Sequence, residues 1–132
     1  DVGSGAGAPG LALALLRPDL AMTLVEPLTK RVSFLRTVIG TIGRSDIVLV
    51  RERVEDFVKK KPASFDVSIS RATLAPSAWI PFGLQLAPAS WVLLAREEPP
   101  AIPGAMVTRD LSYRWSLTNV ERRAVRYESR EP

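Results

Sequence analysis

The sequence predicts a doubly wound α/β sheet, parallel through most of its strands and closed by an antiparallel hairpin. Three observations carry that prediction. Apolar periodicity switches back and forth between strand and helix spacing; a glycine-rich turn separates a strand end from a helix start; the C-terminal stretch alternates polar and apolar residues.

The elements follow in order. Asp1-Val2 reads as the end of a strand, and Gly3 to Ala8 as the turn after it. Pro9 suits the first turn of a helix running to about Arg17, where Leu11, Leu13, Leu15 and Leu16 give apolar sides all round. Met22 to Val25 is a short apolar strand ending at Glu26. Pro27 opens a second helix with Leu28, Val32, Leu35, Val38, Ile39 and Ile42 on one face, and Gly43 closes it. Ile47 to Val50 is a strand, and Val54 to Lys61 a short helix with Val54, Phe57 and Val58 inward.

Phe65 to Ser70 and Trp91 to Ala95 are further strands. The stretch between them reads as a helix entered at Pro76 and disturbed at Pro81. Leu111 to Leu117 and Arg122 to Glu128 form the hairpin around Thr118-Asn119. Residues 1–132 are therefore expected to form a single core domain that lacks most of its first strand.

Composition narrows the chemistry. The chain has neither cysteine nor histidine, which removes disulfides, thiol nucleophiles, the usual general base and the commonest zinc ligands. No metal site is expected. Net charge is +4, with ten basic and seven acidic side chains in residues 1–61 and eight and seven in residues 62–132. A mild basic balance permits a nucleic-acid partner without demanding one. Ala72 to Ala95 lacks charge but holds three prolines, so it reads as a buried helix and strand, with no membrane span. A cytoplasmic, monomeric protein is expected.

The turn Asp1-Val2-Gly3-Ser4-Gly5-Ala6-Gly7-Ala8 carries the clearest chemistry. Its glycines let backbone approach a ligand, and the following helix start presents free amide donors. The pattern also satisfies the dinucleotide-binding fingerprint, so two ligand classes fit it. Charge separates them. A carboxylate at Asp1 repels a pyrophosphate and favours the cationic ammonium and sulfonium of S-adenosylmethionine. Glu26, ending the second strand, can accept hydrogen bonds from both ribose hydroxyls of either ligand. Val54-Glu55 follows the third strand, where an adenine would lie, although a Glu in a first helical turn is also ordinary dipole chemistry. Arg71 comes at the end of the fourth strand, on the carboxyl edge where open α/β sheets bind ligands. A salt bridge to a neighbouring acid is its alternative role.

The reaction class is narrowed by what stands at that strand end. Ser70-Arg71-Ala72 replaces the Asn/Asp-Pro-Pro-aromatic turn used on exocyclic amines, and pyrimidine C5 chemistry needs a cysteine. Guanine N7 offers an in-plane lone pair and has no proton to lose, so orientation of donor and acceptor could suffice.

These residues resemble the bacterial 16S rRNA guanine-N7 methyltransferases, the glucose-inhibited division protein B family. The matching segments are Asp1 to Leu11, Leu15-Leu16-Arg17-Pro18, and Leu24-Val25-Glu26-Pro27 with Lys30-Arg31 and Phe34-Leu35-Arg36. They continue through Arg53-Val54-Glu55-Asp56, Phe65-Asp66 and Ser70-Arg71-Ala72. The resemblance implies a Rossmann-like S-adenosylmethionine-dependent methyltransferase sheet whose partner is 16S rRNA in the small ribosomal subunit. It places the donor on Asp1, Gly3, Ser4, Gly5, Gly7, Ala8, Glu26, Val54 and Glu55. Gly3 and Ala8 would line the methionine end, Val54 and Glu55 the adenine. Arg71 would stand near the donor or the target guanine, as the catalytic residue. Ala8 is smaller than the family's usual apolar residue, and Arg96-Glu97 replaces its usual Lys-Gly. A non-catalytic nucleoside- or RNA-binding relative, and an NAD-binding oxidoreductase domain, are the competing readings.

Overall fold

A computed structural model describes residues 1–130, which gather into two compact units, Asp1–Phe57 and the described residues from Val58 onward. In the first unit, strand β1 (Thr23–Val25) lies between the Asp1-Val2 segment and β2 (Val48–Val50), all parallel. Asp1 N donates to Thr23 O, Val25 N to Asp1 O, each at 2.8 Å, and Val2 bridges Val25. The strand end read from the sequence is therefore paired as a strand.

Helix α1 (Gly10–Leu16) begins one residue after Pro9, which acts as its N-cap. Only its Leu11–Ala14 side is buried, while Leu15 and Leu16 are exposed, so a helix with apolar sides all round buries one of them. Seven residues give barely two turns, enough to present one buried face. Leu11, Ala14, Leu24, Leu35 and Ile47 form this unit's core, with Met22, Val38, Ile39 and Leu49 against it.

Helix α2 (Thr29–Ile42) starts two residues later than Pro27. The reason is local. Leu28 is extended (φ −83°, ψ 121°), and its N–H goes to Glu26 Oε1 at 3.1 Å. Val32 and Leu35 face the core, and Gly43 caps the helix as a left-handed residue (φ 69°). Leu28 and the terminal Ile42 of the predicted face stand exposed. Helix α3 (Val54–Lys60) buries Val54, Phe57 and Val58 as its spacing requires, and the division between units falls within it.

The second unit holds a four-stranded sheet in the order β3 (Val67–Arg71), β4 (Ala89–Leu94), β6 (Glu121–Ser129), β5 (Ala105–Arg114). β3 and β4 are parallel, and the remaining pairings are antiparallel. The first of these strands starts later than Phe65, because Ala63 N and Phe65 N donate to Gln85 O and Leu86 O beyond the sheet. It runs on through Arg71, which pairs with Leu93.

Helix α4 (Pro76–Leu86) has Pro76 at its start and passes Pro81 without a break. Pro81 is exposed, so the lost backbone bond, about 3 kcal/mol, falls on the solvent side. Complete burial of Trp79, Ile80 and Leu86 outweighs that loss, at about 1.5–3 kcal/mol for each large side chain. The helix sits close to the sheet at Gly83. A Cβ there would lie 2.0 Å from Ser90 Oγ and 2.8 Å from Ser68 Oγ, and Ser68 Oγ donates to Gly83 O at 3.0 Å. Trp79 Nε1 donates to Trp91 O at 3.0 Å.

The hairpin is longer and shifted relative to Leu111–Leu117 and Arg122–Glu128. Its first strand begins at Ala105 and ends at Arg114, and Trp115 to Val120 form the connecting loop. Trp115 N donates to Val120 O (3.0 Å) and Asn119 N to Trp115 O (2.7 Å), which closes that loop before Leu117 could join the ladder. β5 is an edge strand exposed on both faces over most of its length, so alternation does not mark its beginning.

Two glycines in helices test the packing. At Gly10 a Cβ would meet Asp1 Cβ and Leu24 Cδ2 at 2.6 Å, whereas at Gly40 it would meet nothing within 4 Å. Gly10→Ala is expected to lower unfolding stability by about 1–3 kcal/mol. Gly40→Ala should raise it by about 1 kcal/mol. Urea denaturation of the two variants beside the parent chain measures both, and equal effects would contradict the packing.

Candidate nucleoside site

The first unit brings Asp1, Gly3, Ser4, Gly5, Gly7 and Glu26 together at the carboxyl ends of its parallel strands. The turn is tight because Gly3 (φ 72°), Gly5 (φ 54°) and Gly7 (φ 103°) all take left-handed backbone that a side chain would strain. Gly3 N and Ser4 N donate to Val25 O, at 2.7 and 3.2 Å, and Gly7 N to Ser4 O at 2.7 Å. Ser4 is buried, its hydroxyl donating to Asp1 O at 3.0 Å. Ala6 and Ala8 are exposed on the turn.

Two carboxylates hold this turn from opposite ends. Glu26 is 1% exposed; its Oε2 accepts from Gly5 N at 2.9 Å and its Oε1 from Leu28 N. Asp1 Oδ2 accepts from Gly10 N at 3.0 Å, in the first turn of α1. Asp1 Oδ1 is buried and accepts no hydrogen bond among the described residues. A buried anionic oxygen without a donor is unfavourable alone and is satisfied by a cationic N–H group. Pyrophosphate offers the opposite charge. The orphaned oxygen therefore suits the ammonium of a methionine-bearing nucleoside.

The sequence predicts that Glu26 accepts hydrogen bonds from both ribose hydroxyls. The structure shows each oxygen already accepting one backbone N–H, which leaves about two of roughly four lone-pair sites on an ionised carboxylate. In the sequence Gly10 stands only as part of the family's glycine-rich motif. Its role in gripping Asp1 had one available signal: a glycine in a first helical turn, where a better helix former would otherwise stand.

Val54 is buried at the start of α3 and Glu55 is exposed beside it in the first turn. Arg71 belongs to the second unit, as the last residue of β3, at the carboxyl end of the parallel β3–β4 pair. It is exposed, and no described acid forms an ion pair with it, so the salt-bridge alternative has no partner here. The next residue, Ala72, is left-handed (φ 53°), and Thr73 Oγ1 donates to Arg71 O at 3.3 Å. The chain thus turns sharply at the strand end. Such backbone costs an L-residue about 1–2 kcal/mol.

Among the described residues, no group of three or more acidic side chains could hold a metal ion. Nor is any helix among them long and apolar enough to cross a membrane.

Relief of the strain at position 72 is testable. Ala72→Gly is expected to raise stability by about 1 kcal/mol, whereas Ala72→Val should lower it by at least as much. Thermal denaturation of both variants measures the effect, and a destabilised glycine variant would contradict the left-handed assignment.

Comparison with known proteins places the geometry in context. The chain is 51% identical over 74 residues to ribosomal RNA small subunit methyltransferase G of Clostridium beijerinckii, covering 54% of this chain and 31% of that protein. It is 50% identical over 76 residues to the Mycobacterium leprae protein of the same name, covering 57% and 31%. The chain thus spans about a third of the length of the curated relatives it matches. Among solved structures it resembles the bifunctional kinase-methyltransferase WbdD, with TM-score 0.66 at 15% identity over 98% of this chain and 34% of that one. MtNAS in complex with MTA and tNA gives TM-score 0.75 at 13% identity, over 98% and 52%. These likenesses show the methyltransferase fold. The model of the GidB family, rRNA small subunit methyltransferase G, matches residues 1–95, and the chain belongs to that family.

Proposed function

We propose that this chain forms the donor-binding core of an enzyme that transfers a methyl group from S-adenosylmethionine to N7 of a guanosine in 16S rRNA, in the cytoplasm. One observation carries the donor assignment: the buried, unpartnered Oδ1 of Asp1 beside a left-handed glycine turn. That oxygen accepts an ammonium and disfavours a diphosphate, which argues against the nicotinamide alternative.

In this reading the backbone of Gly3 to Ala8 lies along the methionine end of the donor. Glu26 keeps its bonds to Gly5 N and Leu28 N and turns its remaining lone pairs to the ribose hydroxyls. Val54 and Glu55 border the adenine. When bound, the donor supplies an electrophilic methyl group on a cationic sulfur. Arg71, exposed and without an acidic partner, orients the guanine or its phosphate by charged hydrogen bonds. Guanine N7 attacks through a lone pair and sheds no proton in that step, so a site without histidine or cysteine needs no general base. Family membership supports the RNA substrate.

Two measurements test the reading. Calorimetry with S-adenosylmethionine should show binding that Glu26→Ala weakens by ~3 kcal/mol, more than a hundredfold. Unchanged affinity in that variant would remove Glu26 from the site. Transfer of labelled methyl to small-subunit RNA should be lost in Arg71→Ala while donor binding and the thermal transition persist. Full activity in that variant would leave Arg71 without a role, and donor binding with no turnover by the parent chain would favour a non-catalytic relative.

A further inference from the structure

The matched family region ends at residue 95, and the hairpin beyond it carries charge of its own. Residues 105–130 hold six arginines against three carboxylates, a larger excess than the preceding 104 residues together. Two of the six are neutralised. Arg123 pairs with Glu98 and Asp110, and Arg126 with Glu128. Arg109, Arg114 and Arg122 form no ion pair among the described residues.

Strand register sorts these groups by face. Tyr113 stands opposite Arg122, Leu111 opposite Ala124, and Arg109 opposite Arg126. Directly opposed residues, and those two apart along a strand, share a face. Arg109, Leu111, Tyr113 and Arg122 therefore line one side of the hairpin, with the first three exposed. Arg126 on this face is already met by Glu128, which leaves Arg109 and Arg122 as the cations without a carboxylate there. An exposed aromatic ring directly opposite Arg122, with Arg109 four residues along the same strand, suits a ligand with both phosphates and flat bases. The same face carries Arg71. The register row Leu111, Ala124, Leu93, Arg71 crosses three strand spacings, about 14–15 Å.

We infer that this face of the hairpin, centred on Arg109, Tyr113 and Arg122, docks the substrate RNA through its phosphate backbone and a stacked base, on the sheet face that bears Arg71. The inference rests on the RNA-substrate reading above, and it assigns the surface that holds the RNA. A charged strip of this kind contributes affinity and register without reading sequence.

The test uses the full chain, a transcript of 16S rRNA, and S-adenosylmethionine as separate probes. Filter binding of the transcript between 50 and 200 mM KCl should show, for Arg109→Gln with Arg122→Gln, at least a tenfold weaker Kd at the middle of that range. The slope of log Kd against log salt should fall by about two. Tyr113→Ala should weaken binding several-fold and leave the slope unchanged. Calorimetric affinity for S-adenosylmethionine should stay within twofold in both variants.

Unaltered RNA affinity and slope in the arginine variant would overturn the inference, as would absence of RNA binding by the parent chain. Sedimentation showing that copies of the chain associate through β5, with RNA affinity indifferent to Tyr113→Ala, would overturn it in favour of edge pairing. If the arginine variant does not fold, ultraviolet crosslinking of the parent chain to the transcript decides: adducts on Tyr113 or Trp115 are expected, and adducts confined to other residues refute it. Loss of donor binding by the parent chain, with RNA still held by the hairpin, would sink the methyl-transfer reading and leave this one standing.

Discussion

The first unit depends on how two carboxylates grip one glycine turn. Asp1 holds Gly10 N, and Glu26 holds Gly5 N and Leu28 N, so a three-residue strand, a short helix and the entry to a long helix are fixed to the same loop. Charge-assisted bonds to backbone N–H groups are roughly twice as strong as neutral ones. The left-handed glycines give the loop its shape, but the carboxylates lock its position. A turn built this way is preorganised by the same contacts that join the surrounding secondary structure.

Much of this was legible in residue spacing. The glycine turn between strand and helix, the acid at the end of the following strand, and the parallel-then-antiparallel order all follow from local patterns. The contacts that span sequence distance were not legible. That Gly10 lacks a side chain so that Asp1 and Leu24 can close on it depends on contacts across nine and fourteen positions of the sequence. Arg71 was expected just beyond a strand; pairing with Leu93 keeps it inside. The left-handed Ala72 leaves no trace in composition, because alanine ordinarily signals helix.

The helix boundaries that moved did so for side-chain reasons. Pro27 looked like a first helical residue, but Glu26 captures Leu28 N and delays the helix to Thr29. Pro81 looked like a break, yet its ring faces solvent while Trp79 and Ile80 fill the core. At Pro27 a side chain two residues away overrode the local preference, at Pro81 tertiary packing did, and the hairpin shows a different case: an edge strand exposed on both faces has no burial pattern to announce it.

The notch at Gly83 has a consequence for how the second unit assembles. Only a residue without a side chain can face Ser90 and Ser68 at this separation, and the neighbouring helix positions, Phe82 and Leu84, are bulky. Turning the helix so that either faced the sheet here would drive a large group into the hydroxyls. The gap thus works as an alignment key, admitting this seating of helix on sheet and penalising its near neighbours.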